Sequence, residues 1–174
     1  VYFNIWVLLF NPSYGLINYF LSLIGIAGPN WLTDPQTAMI AVIITSAWKD
    51  IGFVMVLFLG GLQNISPSYY EAANMDGASK LRQLFSITIP LLTPTTFFVT
   101  IISLINSFQV FDQVMIMTEG GPSGATMTLV QNIYNHAFRY FEMGYASAMS
   151  WILFIVIFII TIIQNKLQKR WSNY

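Results

Sequence analysis

The stretch YYEAANMDGASKLRQLFSITIP, Tyr69–Pro90, lies between two strongly apolar parts of the chain, yet it holds two of the seven acidic residues and two of the seven basic residues. Its first half consists largely of good helix formers, and Asp76 and Lys80 are spaced to pair one helical turn apart. Ile87 and Ile89 then lead back into an apolar run. We therefore expect a short polar helical element that rigidly joins two apolar helices.

The start and the end of this element carry separate signals. Ser66 followed by Pro67 predicts a helix start, because Ser is a preferred N-cap and Pro a preferred first helical residue. Ser68 with Glu71 forms an alternative capping box. Gly77 either ends this helix or lets another backbone approach closely. The pattern predicts a helix-turn-helix.

The composition is that of a membrane protein. Hydrophobic residues make up 56% of the chain and charged residues 8%, where soluble domains average roughly 25% charged. The net charge of zero excludes a basic nucleic-acid surface. The absence of cysteine excludes thiolate chemistry, and the single His136 cannot form a metal site alone, so no metal or cofactor is expected on this chain.

Three apolar runs are long enough, at about 20 residues, to cross a bilayer. They cover residues 38–62, 91–117 and 146–163. Pro94 interrupts the second run early, which a membrane helix tolerates when neighbouring groups satisfy the freed carbonyl. The opening run, residues 1–10, is too short, and we interpret it as the end of a further membrane helix in an N-terminally truncated sequence. The prediction is an all-α fold, a polytopic transmembrane helical bundle, with residues 1–174 forming one membrane domain.

The basic residues predict the orientation, because cytoplasmic loops hold the excess of Lys and Arg. Five of the seven follow the first or the last complete span: Lys80, Arg82, Lys166, Lys169 and Arg170. The loops on the other side offer only Arg139. We therefore expect residues 63–90 and the C-terminus on the cytoplasmic side, and residues 118–144 on the extracellular side.

The loop 118–144 shows a helical pattern. Its predicted apolar side consists of Met127, Val130, Ile133, Tyr134, Ala137, Phe138 and Phe141. Its predicted polar side consists of Thr128, Gln131, Asn132, Asn135, His136, Arg139 and Glu142. The pattern predicts an amphipathic helix along the outer surface. Docking of an external partner and simple packing of a loop helix are equally compatible with it.

The first span contains charge near its middle. Thr45 and Lys49 share the face with the smaller side chains, and a Lys at the bilayer centre costs about 2.5–3.5 kcal/mol on insertion scales. Lys49 is therefore expected to face protein or water. Thr45 and Lys49 are candidates for lining a solute pathway, and structural pairing of Lys49, with Asp50 or with another helix, is the alternative.

The second span has two polar groups of residues. Four small residues form one stripe, which is more typical of helix packing than of a binding surface: Thr96, Thr100, Ser103 and Ser107. Asn106 and Gln109 lie off that stripe and offer amides of the kind that hold sugar hydroxyls. They are the second pair of candidate pathway residues, whereas Asp112 is expected to contact solute or to anchor the following turn.

The segment around Tyr69–Pro90 resembles a known family motif. Glu71-Ala72-Ala73, three residues, Gly77, nine residues and Ile87-x-Ile89-Pro90 resemble the EAA loop of the membrane subunits of binding-protein-dependent ABC importers, with Ile89 in place of the usual Leu. Further stretches resemble the maltose and glycerol-phosphate branch: GLINYFLSLIGI, NWLTDP, FDQVMIMTEGGPSGAT, YNHAF and GYASAMSW. The resemblance covers nearly the whole chain and implies the C-terminal part of a type I ABC importer permease.

This resemblance implies a role and partners. The chain would be the permease subunit of an ATP-driven importer for sugars or related solutes, such as oligosaccharides or glycerol phosphate, in a bacterial or archaeal cell membrane. Its partners would be a second, different permease, a dimer of ABC ATPase subunits and an extracellular solute-binding protein. It would not itself be an enzyme, and no Lys follows a Gly here as a P-loop requires.

In the family, the EAA loop forms a coupling helix that sits in a cleft of the ATPase. By matching position, the coupling residues would be Glu71, Ala72, Ala73, Asp76, Gly77, Ile87 and Pro90. In the purely structural alternative, Glu71 is only a capping residue and Gly77 only a helix terminator.

Two other classes of membrane protein compete with an ABC importer of sugars. One is an ABC permease for another solute class, such as a polyamine or a phosphonate. The other is a self-contained secondary transporter or channel, which would be expected to carry paired intramembrane carboxylates or repeated halves. Only Asp50 lies deep in a span, and no repeat is visible.

Overall fold

The computed structural model of the chain describes residues 2–171, with side chains described to residue 167. The helices, in chain order, are α1 Tyr2–Leu9, α2 Leu16–Leu23, α3 Ala38–Gln63, α4 Pro67–Met75, α5 Lys80–Gln83, a π-helical turn Leu84–Thr88, α6 Ile89–Leu91, α7 Thr93–Phe108, α8 Asp112–Met117, α9 Leu129–Tyr134, a π-helical turn Asn135–Arg139 and α10 Met143–Trp171. Every regular element in the described range is helical, which confirms the predicted all-α class.

The chain divides into two compact units. One contains the described parts of Val1–Asp50 and Asn106–Ile155, and the other contains Ile51–Ile105 and the described part of Val156–Tyr174. The boundaries fall within α3, α7 and α10, so each of these helices contributes to both units.

The core of the first unit joins α1, α3 and α8. Phe3, Phe10, Ala41 and Met117 are buried together, and five partly buried residues pack against them: Trp6, Val7, Ile17, Trp31 and Leu32. The ring centroids of Phe10 and Trp31 are 5.4 Å apart. Aromatic contacts at such distances add to the burial of apolar area, and they fix α1 and the following loop against the start of α3.

Among the described residues, two helices are long and apolar enough to cross a membrane: α3 over 26 residues and the part of α10 from Met143 to Leu167 over 25. A third candidate span exists if the pair Lys80–Leu91 and Thr93–Phe108, bent by 60°, counts as one. The helices expected over 38–62 and 146–163 are therefore present. Most of their apolar side chains are exposed in this chain, as expected where lipid or other helices cover them.

The expectation of one helix over 91–117 is wrong. The helix is broken at Leu92, because Pro94 has no N–H to donate to the carbonyl of Pro90. It ends at Phe108, where the Gln109 N–H turns back to the Asn106 oxygen at 3.1 Å, and α8 starts anew at Asp112. Residues 91–117 therefore form the end of α6, α7 and α8.

Candidate functional site

The EAA segment, residues 66–90, starts with a well-capped helix. Ser66 is the N-cap of α4, its Oγ accepts from the Ser68 N–H at 3.4 Å, and Pro67 is the first helical residue. The Ser66-Pro67 start is therefore confirmed over the alternative capping box at Ser68 and Glu71. Because Glu71 is not used as a cap, its carboxylate is free to project from the helix.

Gly77 terminates α4. Its φ is +72°, its N–H donates to the Asn74 oxygen at 3.0 Å, and the Ala78 N–H donates to the Ala73 oxygen at 2.9 Å. This is the Schellman arrangement, in which a left-handed residue satisfies the last carbonyls of a helix. A Cβ added at Gly77 would meet nothing within 4 Å. The terminator role of Gly77 is confirmed, and the space beside it is open.

The expected pairing of Asp76 with Lys80 does not occur. Asp76 is the C-cap of α4 and Lys80 is the first residue of α5, so the two do not share one helix. Within the part of the chain that the structure describes, no ion pair joins Asp76 to Lys80. The turn at Gly77 separates the side chains that a continuous helix would bring together.

Two hydrogen-bonded contacts tie α4 to the chain that follows it. The Gln83 Nε2 donates to the Asn74 Oδ1 at 2.7 Å and to the Ala78 oxygen at 3.0 Å, and Gln83 is buried. Tyr70 and Thr88 share a hydrogen bond of 2.9 Å between their hydroxyls. Sequence reasoning missed these residues, since nothing in a linear pattern pairs an amide in one helix with an amide nine positions on.

The predicted coupling residues separate into exposed and partly buried ones. Glu71, Ala72, Asp76, Gly77 and Pro90 are exposed, whereas Ala73 and Ile87 are half-buried. Met75, which was not singled out from the sequence, has 90% of its surface exposed. Such an exposed Met is a signal in itself, because its flexible thioether suits a surface that another chain covers.

A second structured region, the Gly-Gly-Pro loop of residues 118–128, has an unusual backbone. Positive φ occurs at Glu119, Gly120, Ser123 and Gly124. A Cβ at Gly120 would lie 2.9 Å from the Met127 Cε and 3.0 Å from the Gln131 Oε1. The loop therefore packs directly on the side chains that follow it.

Hydrogen bonds from threonine hydroxyl groups hold this loop in place. The Thr126 Oγ1 donates to the Gly121 oxygen at 2.7 Å and lies 2.7 Å from the Thr118 Oγ1. Thr126 is completely buried, and the Thr128 Oγ1 donates to the Val110 oxygen at 2.8 Å. Buried hydroxyls with good partners specify one conformation, so this loop is held by its own chain.

The predicted amphipathic helix over this region is oriented differently from the expectation. Gln131 and Asn135, assigned to the polar side, are buried, with 0% and 4% of their surface exposed. Phe138 and Phe141, assigned to the apolar side, are 60% and 80% exposed. The amides pack beneath the Gly-Gly-Pro loop, and the change to a π-helical turn at Asn135 shifts the faces of the residues after it.

The candidate pathway residues of α3 have different environments. Thr45 is completely buried, and its hydroxyl donates to the Ala41 oxygen of its own helix at 2.9 Å. Lys49 is exposed, and its Nζ lies 5.9 Å from the centroid of the Phe3 ring. Within the described residues no ion pair joins Lys49 to Asp50. A role of Thr45 or Lys49 toward solute stays a prediction.

The other candidate pathway residues lie at the C-terminal end of α7. Asn106 and Gln109 are both exposed. The structure adds a polar contact that the sequence did not reveal, in which the Gln113 Nε2 donates to the Ser46 Oγ at 3.1 Å and connects α8 to α3. Among the described residues, no group of His, Asp and Glu is arranged to hold a metal ion.

Comparison with known proteins assigns a family to this arrangement. Residues 1–173 match the family model described as binding-protein-dependent transport system inner membrane component. The chain is 39% identical over 164 residues to the trehalose/maltose transport system permease protein MalF of Thermococcus litoralis, covering 94% of this chain and 55% of that protein. It is 36% identical over 171 residues to the sn-glycerol-3-phosphate transport system permease protein UgpA of Pectobacterium atrosepticum, covering 98% and 58%. The chain thus spans little more than half the length of these relatives.

A solved structure shares the fold. A chain of a bacterial alginate ABC transporter, crystallised with an alginate pentasaccharide-bound periplasmic protein, matches with a TM-score of 0.87 and 25% identity, over 98% of this chain and 60% of that one. The family match over nearly the whole length and the two relatives above 30% identity agree with the resemblance drawn from the EAA segment. The chain belongs to the inner membrane components of binding-protein-dependent transport systems.

Proposed function

We propose that this chain is a permease subunit of an ATP-driven importer and that its EAA segment docks onto a separate ATPase subunit. The observation that carries this proposal is the exposed end of α4. Met75, Asp76 and Gly77 are exposed beside a turn that is already complete in its hydrogen bonds. A preformed surface of this kind binds without first having to order its backbone.

The proposed docking surface combines three kinds of contact. Ala72 and Gly77 allow close approach of a partner backbone, Met75 offers an adaptable apolar side chain, and Glu71 and Asp76 offer carboxylates. Buried apolar anchors ringed by polar groups are typical of the energetic centre of an interface.

The hydrogen bonds behind that surface make it suitable for transmitting movement. The Gln83–Asn74 contact of 2.7 Å and the Tyr70–Thr88 contact of 2.9 Å link α4 to the segment that leads into α7. A displacement of α4 by a closing ATPase dimer would therefore be passed on to the membrane helix rather than absorbed in a flexible loop. Alternation of a midplane cavity between the two membrane faces would follow.

The orientation in this proposal follows the charges. Lys80 and Arg82 in the EAA segment, with Lys166 near the C-terminal end of α10, mark the cytoplasmic side. The loops before α3 and between α8 and α10 would then face outward, where an extracellular solute-binding protein delivers solute. The membrane would be the inner, or cell, membrane of a bacterium or archaeon.

The proposed solute is a sugar or a related polyol derivative. One of the two relatives is a permease of a trehalose/maltose transport system, and the other is a permease of an sn-glycerol-3-phosphate transport system. The similar solved transporter is involved in the import of alginate. A second, different permease subunit would complete the pathway. Lys49, Asn106 and Gln109, which are exposed in this chain, are the proposed contacts to solute or to that second permease.

Site-directed photo-cross-linking tests the docking. These 174 residues contain no cysteine, so once any cysteine elsewhere in the full-length transporter has been replaced, Gly77→Cys carries a single site for a benzophenone maleimide. We expect cross-links from residue 77 to the ATPase, with a yield that changes when nucleotide binds. Identical yields with and without nucleotide would contradict a coupling that moves, and cross-links only to lipid would contradict docking.

Gly25→Cys is the matched control. Gly25 has a φ of +77°, and a Cβ there would also meet nothing within 4 Å, so the substitution changes the backbone and the space around it as Gly77→Cys does. It lies in the loop before α3, which the charges assign to the other side of the membrane. We expect no cross-link from residue 25 to the ATPase.

A further inference from the structure

A cavity of about 530 Å³ lies in the loop and helix before α3, within residues 12–28. This volume lies within the range of about 300–1,000 Å³ that is usual for small-molecule pockets. By chain order this loop precedes α3, whereas the EAA segment follows it. The cavity is therefore a feature separate from the proposed docking surface.

The cavity walls are fixed by one asparagine. The Asn18 Nδ2 donates to the Pro12 oxygen at 3.3 Å and to the Pro29 oxygen at 3.2 Å, while its Oδ1 accepts from the Trp31 Nε1 at 2.7 Å. These bonds connect the two ends of the loop through one side chain. The pocket is thus formed by the fold itself.

Two glycines make this arrangement possible. A Cβ at Gly28 would collide with the Asn18 carboxamide, and a Cβ at Gly15 would collide with the backbone oxygens of Leu9 and Asn11. Gly15 is also the residue that precedes α2, and its N–H donates to the Asn11 oxygen at 2.9 Å. The close packing around Asn18 therefore depends on the absence of side chains at both glycines.

The lining combines aromatic rings with hydroxyl groups. Tyr14 and Tyr19 both line the cavity and remain 70% and 58% exposed. Ser13 and Ser22 add hydroxyls, and because the Ser22 hydroxyl donates to the Tyr19 oxygen at 2.7 Å, its own oxygen keeps lone pairs for an incoming donor. Tyr side chains offer an apolar face together with a polar end.

The lining carries no formal charge. The eleven residues around the cavity include no Asp, Glu, Lys, Arg or His. A phosphate or carboxylate ligand would be expected to meet Arg, Lys or a long helix N-terminus, because such groups bind through charge-assisted hydrogen bonds. The chemistry present suits a ligand that is neutral, rich in hydroxyls and apolar on the face of its ring.

We propose that the cavity of residues 12–28 is a subsite for a neutral carbohydrate, with the Tyr14 and Tyr19 rings stacked against the C–H face of a sugar and the Ser13 and Ser22 hydroxyls bonded to its hydroxyls. This inference deepens the proposed function, since it rests on the chain serving a sugar importer. It narrows the solute to an uncharged sugar and assigns the subsite to the loop before the first membrane-length helix.

The test uses the full-length protein, assembled with its partner subunits in lipid nanodiscs, with 3-fluorotyrosine incorporated at position 14 alone. Maltose is titrated without ATP and without binding protein, and the fluorine resonance is followed by NMR. We expect a saturable shift at position 14. In the Tyr19→Ala variant the dissociation constant should rise about tenfold, and in Tyr19→Phe it should rise less because the ring remains.

Tyr140→Ala is the matched control, because Tyr140 is an equally exposed tyrosine, at 60%, in a different loop. It should leave the maltose titration unchanged. The absence of any shift with maltose would overturn the subsite, and an equal shift with sn-glycerol 3-phosphate would overturn its preference for a neutral ligand. A parallel titration adds the binding protein without sugar, and a shift in that titration together with none from maltose alone would make this a protein-docking surface and also overturn the proposal. Cross-linking at residue 77 is independent of all these results, so failure here is separable from failure of the proposed function.

Discussion

The EAA segment and the Gly-Gly-Pro loop each contain a left-handed glycine, and the surroundings of the two glycines differ completely. Gly77 has a φ of +72° and open space where a Cβ would point. Gly120 has a φ of +87°, and a Cβ there would press on Met127 and Gln131. The same backbone requirement is thus met at a free surface by Gly77 and in a packed environment by Gly120.

The two regions also differ in how much of their surface the chain itself covers. The Gly-Gly-Pro loop satisfies its own groups, with Thr126 fully buried and bonded to Gly121. The EAA segment is braced from behind by Gln83 but leaves its front surface uncovered, with Met75 90% exposed. We therefore propose the uncovered EAA surface as the place where a partner binds, whereas the Gly-Gly-Pro loop, which is bonded within its own chain, maintains the fold.

The largest effect on stability should come from the packed glycine. Gly120→Ala adds a strained φ, worth about 1–3 kcal/mol, and an overlap with two side chains, worth about 1–3 kcal/mol. We expect the free energy of unfolding to fall by their sum, measured by thermal or denaturant unfolding of the purified protein in detergent. Gly124→Ala is the control, because its φ is +78° and its Cβ would lie in open space. Equal losses for both variants would remove the distinction between packed and free glycines.

The next largest loss of stability should come from removing the hydrogen bond of Thr126 within the Gly-Gly-Pro loop. Thr126→Val keeps the shape of the side chain but leaves the Gly121 carbonyl without its 2.7 Å donor. Loss of a buried partner costs about 1–3 kcal/mol, which the same unfolding measurement detects. Thr33→Val, at an exposed threonine, should change stability by less than about 0.5 kcal/mol. A Thr126→Val protein as stable as the parent would show that the loop is not held by this bond.

The hydrogen bonds of Gln83 to Asn74 and Ala78, behind the EAA segment, should matter more for coupling than for stability. Gln83→Leu removes both bonds of the Gln83 amide, at a cost of about 1 kcal/mol of stability. The Asn74 Oδ1 that it releases belongs to an exposed residue and becomes hydrated. In proteoliposomes of the full transporter we expect ATP hydrolysis to continue while transport per ATP falls severalfold. An unchanged ratio of transport to ATP hydrolysis would show that the Gln83 hydrogen bonds do not transmit movement from the EAA segment to the membrane helix.

The smallest effect should come from Phe141, an exposed aromatic residue that follows the second π-helical turn. Phe141 is 80% exposed and has a φ of +60°, a conformation that Asn adopts more readily than Phe. Phe141→Asn should therefore leave the unfolding temperature unchanged or raise it slightly. A loss of more than about 1 kcal/mol would return Phe141 to the apolar, buried side that its sequence spacing indicated.

These contrasts also show how far the sequence could predict the structure. Ser66, Pro67 and Gly77 act through local geometry, and their effects on α4 were readable from their order in the chain. The break at Leu92 was only partly readable, because Pro94 marks a weakened helix without stating whether neighbouring residues repair it.

What the sequence could not predict depends on tertiary contacts. The burial of Gln131 and Asn135 contradicts their polar character and is decided by the Gly-Gly-Pro loop folding over them. The bonds of Gln83 and Asn18 likewise join residues whose proximity exists only after folding. Periodicity assigns a face to each residue of a regular helix, and it fails where the helix changes to a π-helical turn.

Affinity purification of the full-length transporter, with Gly77→Trp beside Gly25→Trp, tests whether the EAA segment docks onto the ATPase. Both substitutions place a large side chain at a left-handed glycine with open space around it. We expect mass spectrometry to show that the Gly77→Trp protein loses the ATPase but keeps the second permease, whereas the Gly25→Trp protein keeps both. Wild-type amounts of ATPase with Gly77→Trp would contradict this docking.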